Sequence, residues 1–185
     1  MKVELERLAD RAAAEGLLDV AYATVDSPFG PLLVASTPRG LVRVSLPAYD
    51  PEETLEDLAA RISPRVLEAP ARLDAVRRQL DDYFEGRLHE FDLRLDWRLS
   101  KDFRLRALRA IDRIPYGQTR SYTQIARSAG SVRAVRAAGT ACGANPIPIV
   151  VPCHRVLRRD GALGGYGGGL PMKQALLELE GVGDA

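Results

Sequence analysis

Cysteine, histidine and tryptophan are scarce in this chain: Cys142, Cys153, His89, His154 and Trp97 are the whole supply. Two thiols cannot build a disulfide framework, and two histidines so far apart do not make a clustered zinc site. No run approaches the ~18 to 20 apolar residues that a membrane helix needs. The polar start Met1-Lys2-Val3-Glu4 lacks the apolar core of a secretory signal. These absences predict a reducing, cytoplasmic setting with no membrane partner. Charge of one sign is also missing overall, since the formal net charge is only +1. What the chain does have is 46% hydrophobic and 28% charged residues in 185, the balance of a folded protein with one or two domains.

The near-zero sum hides an asymmetry. From Lys101 to Ala185 there are 13 Lys/Arg against 6 Asp/Glu, a surplus of 7. Residues 1 to 100 carry the other 13 basic groups and 19 acidic ones, a deficit of 6. A basic half joined to an acidic half suggests polyanion binding by one part of the chain, although chance clustering on a solvated surface gives the same count. Eleven of the 13 basic groups are arginine, which suits bidentate phosphate contact.

The pattern of residues divides at about Ser100, into an N-terminal domain over 1–99 and a C-terminal one over 100–185. In the first, Met1 to Glu15 reads as a short amphipathic helix. β-like runs follow at Val20 to Val25, Pro31 to Ser36 and Gly40 to Leu46, separated by turn-formers. Helical stretches at Glu52 to Ile62 and Ala69 to Phe84 precede a strand-like His89 to Leu95. The unit is α+β with a strand meander, and it holds no catalytic constellation. In the second, an apolar stripe of Phe103, Ala107, Leu108, Ile111 and Ile114 predicts a helix capped by Ser100 and stopped by Pro115. Arg106, Arg109 and Arg113 fall on another face of it. Shorter helices follow from Tyr122 to Ala129, capped by Ser121 and closed by Gly130, and from Ser131 to about Cys142. Two short helices joined by a tight Gly-Ser turn outline a helix-turn-helix. The last of them carries Ala134, Ala137, Ala138 and Ala141 beside Arg133 and Arg136. Packing inside the protein is the common use of such a helix, but small side chains with arginines also suit close approach to DNA, with Arg136 reaching phosphate or the base stack.

The chemistry sits in Asn145-Pro146-Ile147-Pro148-Ile149-Val150-Val151-Pro152-Cys153-His154-Arg155-Val156. A reactive cysteine needs a base or cation beside it, because the thiolate is the nucleophile. Neighbours on an extended strand point to opposite faces, so Cys153 and His154 must sit on a turn or act through a water. A buried inert cysteine beside a structural histidine is the competing reading. Cys142 is best taken as a packing residue. The run Leu163-Gly164-Gly165-Tyr166-Gly167-Gly168-Gly169-Leu170 matches no phosphate or dinucleotide loop, and its bare backbone allows close approach to a flat ligand. Pro171 to Glu180 reads as a helix with Gly181 beyond its end. Glu178 and Glu180 in its last turn oppose the helix dipole, which a histidine partner for Glu180 would explain.

These residues together resemble the O6-alkylguanine-DNA alkyltransferases. The resemblance rests on Asn145-Pro146, Pro152-Cys153-His154-Arg155-Val156, the Gly164 to Leu170 run, Lys173, Leu176-Leu177 and Glu180, and on Ile114-Pro115-Tyr116-Gly117-Gln118-Thr119-Arg120-Ser121-Tyr122. It covers most of Ile114 to Gly181. The first hundred residues match loosely, at Asp26 to Leu32 and Tyr83 to Gly86. The resemblance implies a C-terminal domain with a helix-turn-helix and an active-site strand or turn. It implies that Cys153 accepts the alkyl group, that His154 takes the thiol proton through a water and that Glu180 orients the imidazole. Asn145 would hold the turn before the thiol, and Tyr122 would donate towards guanine N3. Arg136 would fill the gap left by a flipped nucleotide, with Ala134 among the small residues facing the minor groove. Pro148, Val156, Tyr166 and Gly167 would line the pocket. The implied partner is double-stranded DNA containing O6-alkylguanine, met by a monomer that needs no cofactor or metal, with cooperative assembly along DNA left open.

Some positions depart from the family pattern. Leu108 stands where a tryptophan is common, and Gly167 where some relatives have serine. The zinc ligands of some relatives are missing, and the N-terminal helix to about Asp19 has no counterpart. Two other functions compete: a lesion-recognition protein without transfer, which the presence of Cys153 disfavours, and a thiol hydrolase, which the Asn-Pro and Gly-Tyr-Gly context disfavours.

Overall fold

The computed structural model describes residues 4, 7, 11, 12 and 14–183. The helix expected over Met1 to Glu15 lies largely outside them. The described residues pack as two compact units. One comprises the residues up to Phe84 together with Asp92–Leu99, and the other Glu85–Phe91 with everything from Ser100.

The first unit is built on a four-stranded sheet in the order β3-β2-β1-β4. Strands β1 (Val20–Val25), β2 (Leu32–Thr37) and β3 (Gly40–Ser45) form an antiparallel meander in the expected places. The fourth strand, β4 (Val66–Glu68), pairs parallel to β1 and was not expected. Its three residues are too few to show a period. Helix α1 (Pro51–Arg61) starts where Asp50 accepts from the amides of Glu52 and Glu53, with Pro51 in the first turn. Helix α2 (Asp74–Phe84) follows a 3-10 turn at Pro70–Leu73, so the predicted Ala69 to Phe84 stretch is two elements. The core joins Val20, Leu33, Ala35 and Val42 of the sheet to Leu58 of α1 and to Leu99. The expected strand from His89 to Leu95 does not form. That segment is split between the units: His89 stacks on Tyr116 of the second at 4.1 Å between ring centres, while Asp92 bonds to Gln79 and Leu95 bridges to Leu41 in the first.

In the second unit α3 (Asp102–Asp112) buries Ala107, Leu108 and Ile111, the predicted stripe. Leu108 is fully enclosed in the core. Ser100 is not its cap. Lys101 is, without a side-chain bond, while Ser100 is buried and Asp102 turns the chain with φ 51°. Helix α4 (Tyr122–Ser128) begins at a full capping box: Ser121 Oγ accepts from the Gln124 amide at 3.2 Å, and Gln124 Oε1 accepts from the Ser121 amide at 2.7 Å. It closes in a Schellman motif, with Ser131 N–H bonded to the Ala126 carbonyl and Gly130 N–H to that of Arg127. The next helix, α5 (Val135–Gly143), starts four residues later than expected. Residues 131–134 form a turn closed by Ala134 N–H on the Ser131 carbonyl, which leaves Ala134 at the N-cap. Strand β5 (Arg120–Ser121), just before α4, pairs in parallel with β6 (Val156–Leu157), just after the thiol motif. Helix α6 (Leu170–Leu179) completes the unit. Among the described residues, no helix is long and apolar enough to cross a membrane.

Candidate active site

The apolar run before Cys153 has the composition of a strand but folds as successive turns. Pro146, Pro148 and Pro152 remove the backbone donors that a sheet ladder would use. Asn145 replaces the ladder: its Oδ1 accepts from the Ile147 amide at 3.0 Å and its Nδ2 donates to the Val151 carbonyl at 2.8 Å. Val151 N–H closes back on the Ile147 carbonyl, and Cys153 N–H on that of Val151. Ile147, Ile149 and Val151 are wholly buried, so hydrophobic burial holds the loop although no sheet does. Ile149 sits at φ 74°, a left-handed conformation that a β-branched residue adopts only under constraint.

Cys153 opens a 3-10 turn, Cys153–Arg155, so the adjacent cysteine and histidine do not lie on an extended strand. Both side chains are buried. Burial pushes the Cys153 thiol above its ordinary value, against smaller pulls from the Asn145 side chain and the Lys173 charge. The thiol is therefore protonated at neutral pH and needs a base. Burial also lowers the His154 imidazole, more than Glu180 raises it, so the ring is held neutral.

His154 Nε2 meets Glu180 Oε1 at 2.8 Å. With that nitrogen donating to the carboxylate, Nδ1 is the one with a lone pair. Glu180 reaches this position because α6 ends there in a second Schellman motif, Gly181 N–H to the Glu178 carbonyl and Val182 N–H to that of Leu177. The motif requires the left-handed Gly181, φ 73°. The acid at the end of α6 is thus paid for by a partner, and sequence reasoning found only half of it. Arg155 grips both carboxylate oxygens, Nε to Oε2 at 2.8 Å and Nη2 to Oε1 at 2.9 Å. Its Nη1 also donates to the Ile114 carbonyl, and Tyr116 stacks under the guanidinium while its hydroxyl donates to the Leu179 carbonyl. An arginine next to the histidine, with an unexplained acid downstream, was the available signal. Lys173 likewise carries no individual signal in the sequence. It is fully buried, and its ammonium donates to the carbonyls of Val156 at 2.6 Å and Gly164 at 3.3 Å.

Tyr122, the first residue of α4, is half-buried, and its phenol is pushed up to about 12 by desolvation first, then by Cys142 and Cys153. It fits because Gly164 has no side chain; a Cβ there would stand 2.8 Å from Tyr122 Cε2 and 2.9 Å from Cζ. Cys142 is a buried packing residue of α5, its thiol raised to about 12. Tyr166 stands edge-on to His154, 6.4 Å between ring centres. Pro148 and Val156 are buried nearby in sequence, and Gly167 is exposed. The structure pairs His154 with Glu180 and sets the Asn145 side chain on the Cys153 thiol, with Tyr122 within the field of that thiol and Tyr166 edge-on to the imidazole. Ala134 and Arg136 lie elsewhere, at the N-terminal end of α5, with Arg136 exposed. Among the described residues no group of three or more His, Cys, Asp or Glu could hold a metal ion.

A helix-turn-helix beside a buried Cys-His-Glu arrangement describes a class of DNA-directed thiol protein, and comparison with known proteins gives the family. Residues 102–182 match "6-O-methylguanine DNA methyltransferase, DNA binding domain", and residues 20–97 match "6-O-methylguanine DNA methyltransferase, ribonuclease-like domain". The chain is 46% identical over 161 residues to the methylated-DNA–protein-cysteine methyltransferase of Mycobacterium bovis, covering 87% of this chain and 92% of that one. It is 41% identical over 159 residues to the protein of the same name from Methanosarcina barkeri, covering 86% and 96%. The crystal structure of Mycobacterium tuberculosis OGT in complex with DNA superposes with a TM-score of 0.76 at 43% identity, over 86% of this chain and 92% of that one. The chain belongs to the 6-O-methylguanine DNA methyltransferase family.

Proposed function

We propose that this family member reverses O6-alkylguanine damage in duplex DNA by moving the alkyl group onto Cys153. The observation that carries the reading is the pairing of a raised, buried thiol with a neutral imidazole whose far nitrogen is fixed by Glu180. In the reaction, His154 takes the thiol proton through a water, and Sγ attacks the carbon on guanine O6. The carbon–oxygen bond breaks, its electron pair passes into the purine, and Tyr122 donates a proton towards N3 so that guanine leaves neutral. The proton taken by His154 then returns through solvent to the Tyr122 phenolate, so the one lost by the thiol balances the one that guanine gains. Arg155 keeps Glu180 aimed at His154, and Asn145 keeps the turn that presents Sγ. A base inside a duplex cannot reach a buried sulfur, so the target nucleotide swings out and Arg136 fills its place, with Ala134 admitting the minor groove. Pro148, Val156, Tyr166 and Gly167 line the pocket, Val156 and Gly167 through their backbone. The thioether has no leaving group, so each molecule reacts once, without cofactor. The same reading sets the protein in the cytoplasm, on nucleoid DNA, as a monomer.

Intact-protein mass after incubation with duplex DNA containing O6-methylguanine tests this. The expected result is a gain of one methyl group that stops at one equivalent and maps to Cys153. Cys153→Ala should abolish the gain and keep DNA binding. Transfer by that variant, or tight lesion binding by the native protein with no mass change, would overturn the reading.

A further inference from the structure

The arginines of α3 are not used by the thiol site, yet they are not scattered. Arg106, Arg109 and Arg113 recur at three- and four-residue steps, which puts them on one side of α3 and its C-cap. Opposite them Gln124 and Ser128 recur at a four-residue step on α4, and Arg120 precedes that helix. Together they line a cleft of about 350 Å³ floored by Ile114 and Ile125. Among the described residues no aspartate or glutamate lines it, and none of α5 does.

The polar lining is prepared to donate. Arg106 is held by Nε on the Ala129 carbonyl at 2.9 Å and by stacking on Phe103, which fixes the plane of its guanidinium. Gln124 spends its Oε1 on the Ser121 amide, so the end of its side chain left for a ligand is the NH2. Arg120 is turned by Nη1 on the Thr119 carbonyl and Nη2 on Gln118 Oε1. Four guanidinium groups around one concavity, with no lining carboxylate, repel one another and concentrate an anion. A group that only accepts hydrogen bonds, such as phosphate, matches this lining, and arginine forks suit its oxygens. In a helix-turn-helix the first helix, here α4, is the one that crosses the nucleic-acid backbone.

From this we infer that the α3–α4 cleft is a phosphodiester site, which takes the DNA backbone outside the segment that α5 engages. The inference rests on the proposed action on duplex DNA and adds a second, sequence-independent hold on the strand. The test compares affinity against salt for a duplex of one turn, about 10 base pairs, and one of about 30 base pairs. It uses the native protein, the Arg109→Gln/Arg113→Gln double variant and the matching double lysine variant. On the long duplex the glutamine variant should lose about 2 from the slope of log affinity on log salt, at ~0.9 per phosphate. It should bind at least about tenfold more weakly at low salt, keep the native slope on the short duplex, and regain most of the loss as lysine. Alkyl transfer from a free O6-alkylguanine base should be unchanged. Equal slopes for native and glutamine proteins on both duplexes would overturn the inference. So would slopes that are equal while inorganic pyrophosphate binds the native cleft and not the variant, since the source would then be a free anion. A native protein that takes no alkyl group from base or duplex would instead sink the proposed function, and the slopes would still report on the cleft.

Discussion

Gly164 and Tyr122 are fitted to each other: any side chain at 164 would enter the space of the phenol. The contact is with the ring as well as the hydroxyl, so the tyrosine cannot yield by rotating its O–H. Gly164→Ala should therefore destabilise the protein by about 1–3 kcal/mol, the usual cost of overpacking, and displace Tyr122 from the thiol. Denaturant unfolding measures the first effect and single-turnover transfer the second. Adding Tyr122→Phe, which removes the hydroxyl but leaves Cε2 and Cζ, should restore part of the stability and none of the rate. Full additivity of the two changes would show that the contact is not what matters.

Arg155 and Glu180 form a buried pair in which each oxygen is used. Arg155→Met leaves Glu180 buried without its main counter-charge and should cost about 3–5 kcal/mol. Glu180→Gln is close in shape and keeps one acceptor oxygen, but it loses the charge that faces His154 and one of the two oxygens that Arg155 grips, so transfer should slow even where the fold survives. An unchanged transfer rate in folded Glu180→Gln would remove Glu180 from the reaction and leave it a structural cap.

The buried pair of Cys153 and His154 sets two pH limits. His154 titrates below its ordinary 6.5 in the folded protein. The unfolded chain then binds the proton first, so stability from this group is present above pH 6.5 and is lost as pH falls through the folded value. Cys153 titrates above its ordinary 9.0 when folded, so its contribution is present below pH 9 and is lost as pH rises beyond it. Transfer at saturating DNA should accordingly be flat through neutrality and decline in acid below the normal histidine range. A decline centred at or above 6.5 would mean that the imidazole is not held neutral.

Arg136 is exposed at the start of α5 and takes no part in the thiol network. Arg136→Ala should slow repair in duplex DNA by about tenfold or more, ~1.4 kcal/mol, and leave reaction with a free alkylguanine base unchanged. Equal losses on both substrates would end its role in holding an extrahelical base.

What could be read from the sequence was what neighbours along the chain decide. The meander of β1 to β3, the cap at Ser121 and the end of α6 at Gly181 follow from local patterns, and the odd acid Glu180 announced a partner. Distant partners were hidden. Strand β4 exists only because β1 offers it an edge. The Ile147 to Val151 run shows the composition of a strand, yet its prolines and the Asn145 clamp make it a loop. The turn of Ser131 to Ala134 is helical in composition and delays α5. Arg155 was seen as part of a motif, and its grip on a carboxylate 25 residues away depends on how α6 packs.

That separation has a consequence during synthesis. Cys153 is made well before Glu180, and Glu180 must emerge before His154 has its acceptor and Arg155 its counter-charge. At ordinary elongation speeds the interval is roughly 1 to 5 s. On the proposed roles, the nascent chain carries the acceptor thiol for that time without its base, and transfer begins only once the helix that ends at Glu180 has been translated and has docked.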